Sequence, residues 1–213
     1  MLFARGFRRA MFGRPFERNL MFDILGSCKA YRPNGEIPAA DAFAGDLCLS
    51  IGVFDGVHKG HRKVLSVLKD EGVKAHAKTA VLTFSKNPKD SFYADSQMEI
   101  MNVKQKSDVI FSVGIDYFIV LCFTDEIKRM SGRVFLDGLF AERVVRLVIG
   151  RDFKCGNPSQ PMSACDISKE YGNRIVIVDD VVCDGKKISS TILRGIIRDK
   201  GGLSDEDMRK YVV

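Results

Sequence analysis

The chain has 213 residues, of which 46% are hydrophobic and 28% charged, with a formal net charge of +6. That length suits one sizeable α/β domain, and the composition excludes a disordered or fibrous protein. No apolar run approaches the roughly 18–20 residues of a membrane-spanning helix, so no membrane span is expected. The charge is concentrated in the leader, where Arg5, Arg8, Arg9, Arg14 and Arg18 face Glu17 alone. The remainder is too thinly basic for the continuous stripe of a nucleic-acid reader, and no nucleic-acid partner is expected. Cys28, Cys48, Cys122, Cys155, Cys165 and Cys183 form no C-x-x-C pair and no zinc-ligand spacing, so neither a disulfide framework nor a protein-held metal is expected. Cys48, Cys122 and Cys183 fall in apolar runs as small hydrophobes, which fits a reduced, cytoplasmic protein.

Along the chain, Phe3, Phe7, Met11 and Phe16 could line one side of a helix, but Gly6, Gly13 and Pro15 interrupt it. There is no uninterrupted apolar core or small-residue cleavage site of a signal peptide. This region reads as an extension, or as residues ahead of a start at Met21; an interfacial helix is the alternative. Residues 31–46, with Pro33, Gly35, Pro38 and Gly45, read as a loop, so 1–46 is assigned to an extension and loop and 47–213 to the domain.

From Leu47 the pattern alternates between buried strands and amphipathic helices. Strands are predicted at Leu47–Ile51, Thr79–Phe84, Tyr117–Phe123, Val144–Gly150 and Arg174–Val182. Helices are predicted at His61–Glu71, ended by Gly72, then at Val103–Ser112, Gly132–Ala141, Ser189–Ile197 and Ser204–Tyr211; residues 158–172 read as a loop with weak helical tendency. Continuous Val/Ile/Leu runs between such helices predict a parallel sheet covered on both faces, a Rossmann-like doubly wound α/β fold in a single domain. Its site belongs at the carboxyl ends of the strands.

The richest segment follows the first of these strands: Gly52-Val-Phe-Asp-Gly-Val-His58-Lys-Gly-His61. Its glycines do not match G-x-G-x-x-G, and Gly185-Lys186-Lys187 is not a Walker A loop. Instead His58 and His61 flank Gly60 at a predicted helix start, whose free amides and dipole attract phosphate. A glycine between them allows a triphosphate to approach the backbone. His76 reads as a solvated loop residue.

This segment resembles the G-N-F-D-G-V-H-x-G-H motif of the bacterial FAD synthetases, within the H-x-G-H nucleotidyltransferase superfamily. The resemblance continues in order: Thr83-Phe84 with T-F-E-P-H-P, Gly114-Ile-Asp-Tyr117 with G-V-D-Y, and Phe123-Thr124 with F-T. It ends with Gly150-Arg-Asp-Phe-Lys-Cys-Gly156 against G-x-D-F-R-F-G, and Ile188-Ser-Ser-Thr-Ile-Leu-Arg194 against I-S-S-T-x-x-R. It implies a nucleotidyltransferase-type fold and transfer of AMP from ATP to FMN, giving FAD and pyrophosphate, with Mg²⁺ carried on the phosphates. By the same resemblance His58, His61, Ser190, Thr191 and Arg194 would be catalytic, and Gly52, Val53, Phe54, Asp55 and Gly60 would shape the nucleotide pocket. Lys187 and Ser189 would face the phosphates and Thr83 and Phe84 would also bind substrate; Asp152 and Phe153, with the segment after Phe84, would face the flavin and its phosphate.

The departures are specific. Thr83-Phe-Ser-Lys-Asn-Pro88 lacks the acid, the first proline and the histidine of its counterpart; Cys155 stands for an aromatic, Lys187 for an arginine and Val53 for an asparagine. The ATP half of the pattern is kept more closely than the flavin half. The alternatives left open are a divergent nucleotidyltransferase of another small phosphorylated substrate, or a non-catalytic flavin- or nucleotide-binding protein. The usual C-terminal riboflavin kinase region has no counterpart after Arg198, so a monofunctional adenylyltransferase is expected.

Overall fold

The computed structural model describes residues 26–85 and 98–213. The aromatic–arginine leader and the segment Lys86-Asn87-Pro88 lie outside them.

The centre is a seven-stranded sheet of β1 (Cys28–Arg32), β2 (Gly35–Ile37), β3 (Leu47–Ile51), β4 (Lys78–Phe84), β5 (Tyr117–Leu121), β6 (Val144–Gly150) and β9 (Ile175–Val178), in the order β2-β1-β5-β4-β3-β6-β9. The five strands from β5 to β9 are mutually parallel. Their apolar runs are continuous because both faces are covered. Leu47, Leu49 and Ile51 of β3, with Tyr117, Ile119 and Leu121 of β5, join one core. Cys48 of β3 and Phe118 and Val120 of β5 join the other, the period-two alternation of a strand buried on both sides.

The first core is covered by α1 (Ala39–Ala42), α4 (Asp125–Arg129), α5 (Gly132–Ala141) and α6 (Ala164–Tyr171). The second is covered by α2 (Lys59–Ala75) and α3 (Val103–Ser112). The chain leaves β3 toward β4 and β5, then returns to the other side of β3 as β6 and β9. That reversal opens a crevice beyond the carboxyl ends of β3 and β6.

Several sequence expectations are corrected. Residues 31–46 are not a loop: β1 and β2 form a hairpin on the sheet edge, with β1 antiparallel to β5, and α1 follows. Pro33 and Gly35 marked the turn of that hairpin, and its strands are too short and polar to read as core. Gly72 does not end its helix, which runs on to Ala75 and is capped by His76 in a left-handed conformation. A Cβ on Gly72 would strike the Thr79 side chain, so this glycine lets α2 lie close against β4. The strand expected over Arg174–Val182 stops at Val178, and the one expected to reach Phe123 stops at Leu121. Of the cysteines read as apolar filler, Cys48 is buried, Cys183 half-buried and Cys122 exposed.

Beyond β6 a tight excursion brings further residues to the crevice: β7 (Lys154–Cys155) pairs with β8 (Met162–Ser163), followed directly by α6. Two glycines make this possible. Gly156 has φ +95°, and a Cβ there would lie against the backbone nitrogen and Cα of Gly132 at the start of α5. The Asn157 amide donates to Met130 O at 3.1 Å beside this contact. Gly156→Ala combines a left-handed backbone with a backbone clash, and is expected to destabilise the fold by about 3 kcal/mol, read by urea denaturation. A loss under about 1 kcal/mol would show that the approach of loop and helix is not a fixed constraint.

Candidate active site

The turn after β3 is built on unusual backbone. Phe54, Gly56 and Val57 have φ of +50°, +79° and +33°, a region that non-glycine and especially β-branched residues avoid. Such conformations cost about 1–3 kcal/mol each. Phe54 and Val57 are buried in the second core, a gain of about 2 kcal/mol per side chain that offsets the strain. The turn is also tied down: the Gly52 amide donates to Leu82 O at 3.1 Å, and Thr83 Oγ1 donates to Val53 O at 3.1 Å. Thr83 is fully buried and acts on the turn, not on the cavity.

The turn delivers His58 as the N-cap of α2, its Nδ1 accepting from the His61 amide at 3.3 Å. That bond leaves Nε2 as the protonated nitrogen of a neutral ring. A Cβ on Gly60 would sit 3.0 Å from the His58 ring, so glycine there makes room for it. The His61 ring stacks on His58 with centroids 3.7 Å apart at 16°, and leans on Phe54 at 5.1 Å. Burial pushes His58 down to about 4, and burial, His58 and Lys106, in that order, push His61 well below the usual histidine range. The pair is therefore neutral near pH 7, two stacked imidazoles with hydrogen-bonding capacity and no charge.

These residues open on a cavity of about 610 Å³ at the crevice. Gly52, Val53, Phe54, Asp55, His58, Gly60 and His61 line one side; Phe84, Asp152 and Phe153 line another. Lys187, Ser189, Ser190, Thr191 and Arg194 come from the last segment. The crevice thus brings together the site residues named singly in the sequence except Thr83, which acts from behind; of the segment after Phe84, residues 86–88 lie outside the described residues. Two polar atoms on this cavity, Ser50 Oγ and His61 Nδ1, are buried without a hydrogen-bond partner among the described residues. Such atoms are rare in folded proteins and point to a polar ligand.

The helix α7 (Ser190–Lys200) is held against the turn. Ser189 Oγ caps it by accepting from the Ile192 amide at 3.4 Å. Ser190 Oγ donates its only proton to Asp55 O at 2.8 Å, so it fixes α7 to the turn; a phosphate, which accepts, would meet the exposed Thr191 and the helix amides instead. Arg194 reaches across to Asp55 Oδ2 at 2.8 Å and Met98 O at 2.8 Å. Lys187, on the hairpin of β10 (Val182–Cys183) and β11 (Lys186–Lys187), lies 2.8 Å from both Asp152 and Asp180. Its ammonium links the loops after β6 and β9 at the cavity mouth.

Sequence reasoning missed three contributors. Asp180 follows β9 and stood inside an expected strand. Ile127, Met130, Phe135 and Cys155 give the cavity an apolar wall that no motif marks. Lys106 is buried on α3, where Val103, Lys106 and Ile110 share the spacing of an inward stripe. A lysine in an apolar stripe was the available signal.

The family model for FAD synthetase matches residues 41–192. Curated relatives include the bifunctional riboflavin kinase/FMN adenylyltransferase of Escherichia coli strain K12, 30% identical over 156 residues, covering 71% of this chain and 50% of that protein. The proteins of the same name from Listeria monocytogenes and Haemophilus influenzae are 30% and 32% identical, covering 70% and 68% of this chain and 49% of each relative. A crystal structure of a macrolide-efflux protein from Streptococcus pneumoniae superposes with TM-score 0.67 and 25% identity, over 78% of this chain and 56% of that one. A match across most of the crevice residues, on an α/β sheet with its site at the reversal of strand order, is decisive: the chain belongs to the FAD synthetase family. It spans about half the length of the curated relatives it matches.

The buried histidines set a pH dependence. Their folded pKa values lie below the unfolded value of about 6.5, so the unfolded chain binds more protons between pH 6.5 and about 4. Stability is therefore expected to fall as pH drops through that window. His61→Phe keeps a ring against Phe54 and removes one proton site, so its denaturation midpoint should fall less steeply. Equal slopes in the two proteins would mean that His61 is not buried as a neutral ring.

Proposed function

We propose that this chain is an FMN adenylyltransferase, transferring AMP from ATP to FMN to give FAD and pyrophosphate. The observation that carries it is the neutral His58–His61 pair at the start of α2, with the unpartnered His61 Nδ1 on the cavity at the switch in strand order. Family membership and the names of the relatives support the choice of substrates. An FMN phosphate oxygen attacks the α-phosphorus of ATP, the bond from that phosphorus to the oxygen bridging to the β-phosphate breaks, and pyrophosphate leaves. Such transfers depend on positioning and charge stabilisation more than on covalent participation.

In this reading the triphosphate lies over Gly60, between the amides at the start of α2 and those of α7. His58 Nε2–H and His61 donate to oxygens whose charge grows as pyrophosphate departs. Thr191 and Arg194 donate from the opposite wall, while Ser189 and Ser190 keep α7 in place. Asp152 and Phe153, with Phe84, stand on the flavin side; Phe84 meets Phe123 edge-on at 5.7 Å. Mg²⁺ is assigned to the ATP phosphates, as part of the substrate. The proposal covers adenylyl transfer alone, with 47–213 and the edge hairpin as the working unit, in a reduced, cytoplasmic setting that suits six free cysteines.

His61→Ala removes a donor and the stacking partner of His58, and is expected to lower kcat for FAD formation by at least 10²-fold. Arg194→Ala is expected to cost about 10²-fold in kcat/KM. Both are read by FAD chromatography on variants whose folding is checked by circular dichroism. FAD output from His61→Ala equal to that of the unmodified protein would sink this mechanism.

A further inference from the structure

One buried hydroxyl on the cavity takes no part in the mechanism above. Ser50 lies in β3 with no exposed surface, and its Oγ has no hydrogen-bond partner among the described residues. Its neighbours in register are Val81 of β4 and Val148 of β6, both fully buried in the second core. Ser50 therefore stands on the face of the sheet that α2 covers. A valine there would continue the apolar surface, whereas an unpaired buried hydroxyl costs stability. A polar group kept at such a point calls for a partner.

The matching chemistry is present on the same face. His61 lies in the first turn of α2, one turn ahead of Val64 and Leu65, which pack in the second core. Its ring is held from two sides, by His58 at 3.7 Å and by Phe54, itself part of that core, at 5.1 Å. Its Nδ1 is buried and unpartnered among the described residues, and both Ser50 and His61 line the cavity. A neutral imidazole carries one N–H and one bare nitrogen, and a serine hydroxyl can donate to the bare one. The two unsatisfied atoms on the cavity are thus a donor and an acceptor. They are not bonded to each other in this structure, and hydrogen bonds at active sites commonly tighten only when substrate is seated.

We propose that Ser50 is a positioning residue for His61: its hydroxyl donates to His61 Nδ1 in the nucleotide complex and fixes the ring as the Nε2–H tautomer. His58 is already held in that form by the His61 amide. With Ser50 bonded to His61, both rings of the stack carry their proton on Nε2 and offer it to the phosphates. Without that bond His61 is free to place its proton on either nitrogen, and the Nδ1–H form leaves Nε2 bare before an anionic oxygen. Ser50 touches no substrate; it acts through His61. This rests on the reading that the cavity takes ATP.

The test is ¹⁵N NMR of the histidine side chains, with the protein bound to Mg²⁺ and an ATP analogue whose α- and β-phosphorus atoms are joined by a methylene, which permits no transfer. The His61 signals are assigned through His61→Phe. His61 is expected as a single Nε2–H tautomer in the unmodified protein, and also in Ser50→Thr, which keeps the hydroxyl on a residue suited to a strand. In Ser50→Ala the two His61 nitrogens are expected to move toward the averaged positions of exchanging tautomers, with the His58 signals unchanged. Turnover to FAD should fall about tenfold in kcat in Ser50→Ala, the worth of about one hydrogen bond, with both KM values within about twofold. Ser50→Thr should restore it. Identical His61 signals in Ser50→Ala and the unmodified protein would overturn the proposal, whatever happens to the thermal midpoint, because a merely structural hydroxyl moves stability alone. So would mixed tautomers in the unmodified protein, and so would Ser50→Thr behaving as Ser50→Ala does. The spectra need no turnover: failure to make FAD with this nitrogen pattern intact would refute the transfer reaction and leave the role of Ser50 standing. Absence of analogue binding by the unmodified protein would overturn both.

Discussion

The crevice depends on a single buried carboxylate. Asp55 sits in a turn whose backbone is strained on both sides of it, at Phe54 and at Val57. It is the point where three stretches of chain meet: the turn after β3, the segment entering α3, and α7. Its backbone oxygen takes the Ser190 hydroxyl while its side chain takes Arg194. Removing it would take the acceptor from the Ile100 and Met101 amides and the counter-charge from Arg194, a far larger loss than any one surface ion pair. The strained turn holds because the packing of Phe54 and Val57 and the bonds of Asp55 over-determine it.

The same turn explains why the histidines are useful. Capping α2 with His58 fixes one tautomer, and stacking His61 on it in an apolar wall keeps both rings neutral. Neutral rings offer N–H donors to an anionic ligand without a charge of their own to be desolvated, as the proposed role at the phosphates requires. Arg194 and the amide-rich start of α7 stand on the other wall, while Lys187 at the mouth is balanced by Asp152 and Asp180.

Much of this was legible in the sequence because the parallel strands are buried on both faces and the motif residues are contiguous. Val103–Ser112, Gly132–Ala141 and Val144–Gly150 are bounded in the fold as the sequence bounds them. The edge hairpin was not legible: Cys28–Arg32 and Gly35–Ile37 are short and mixed in polarity, and only the pairing of the first with β5, and of the second with the first, makes them strands. Gly72 misled because a glycine that permits close packing looks like one that ends a helix. Ser190 was placed on the phosphates by its motif, whereas its proton goes to Asp55 O, a contact across 135 positions of chain that no local pattern encodes. Lys106 was overlooked for the opposite reason: its helix was recognised, but a charge in its inward stripe was not read as a signal.

The central claim is tested most directly by incubating the purified protein with ATP, Mg²⁺ and FMN, and quantifying FAD and pyrophosphate by chromatography. The account requires the two products to appear together, one for one, and to depend on FMN. ATP bound in the crevice without FAD or pyrophosphate would contradict it, and would leave a nucleotide-binding protein in place of an adenylyltransferase.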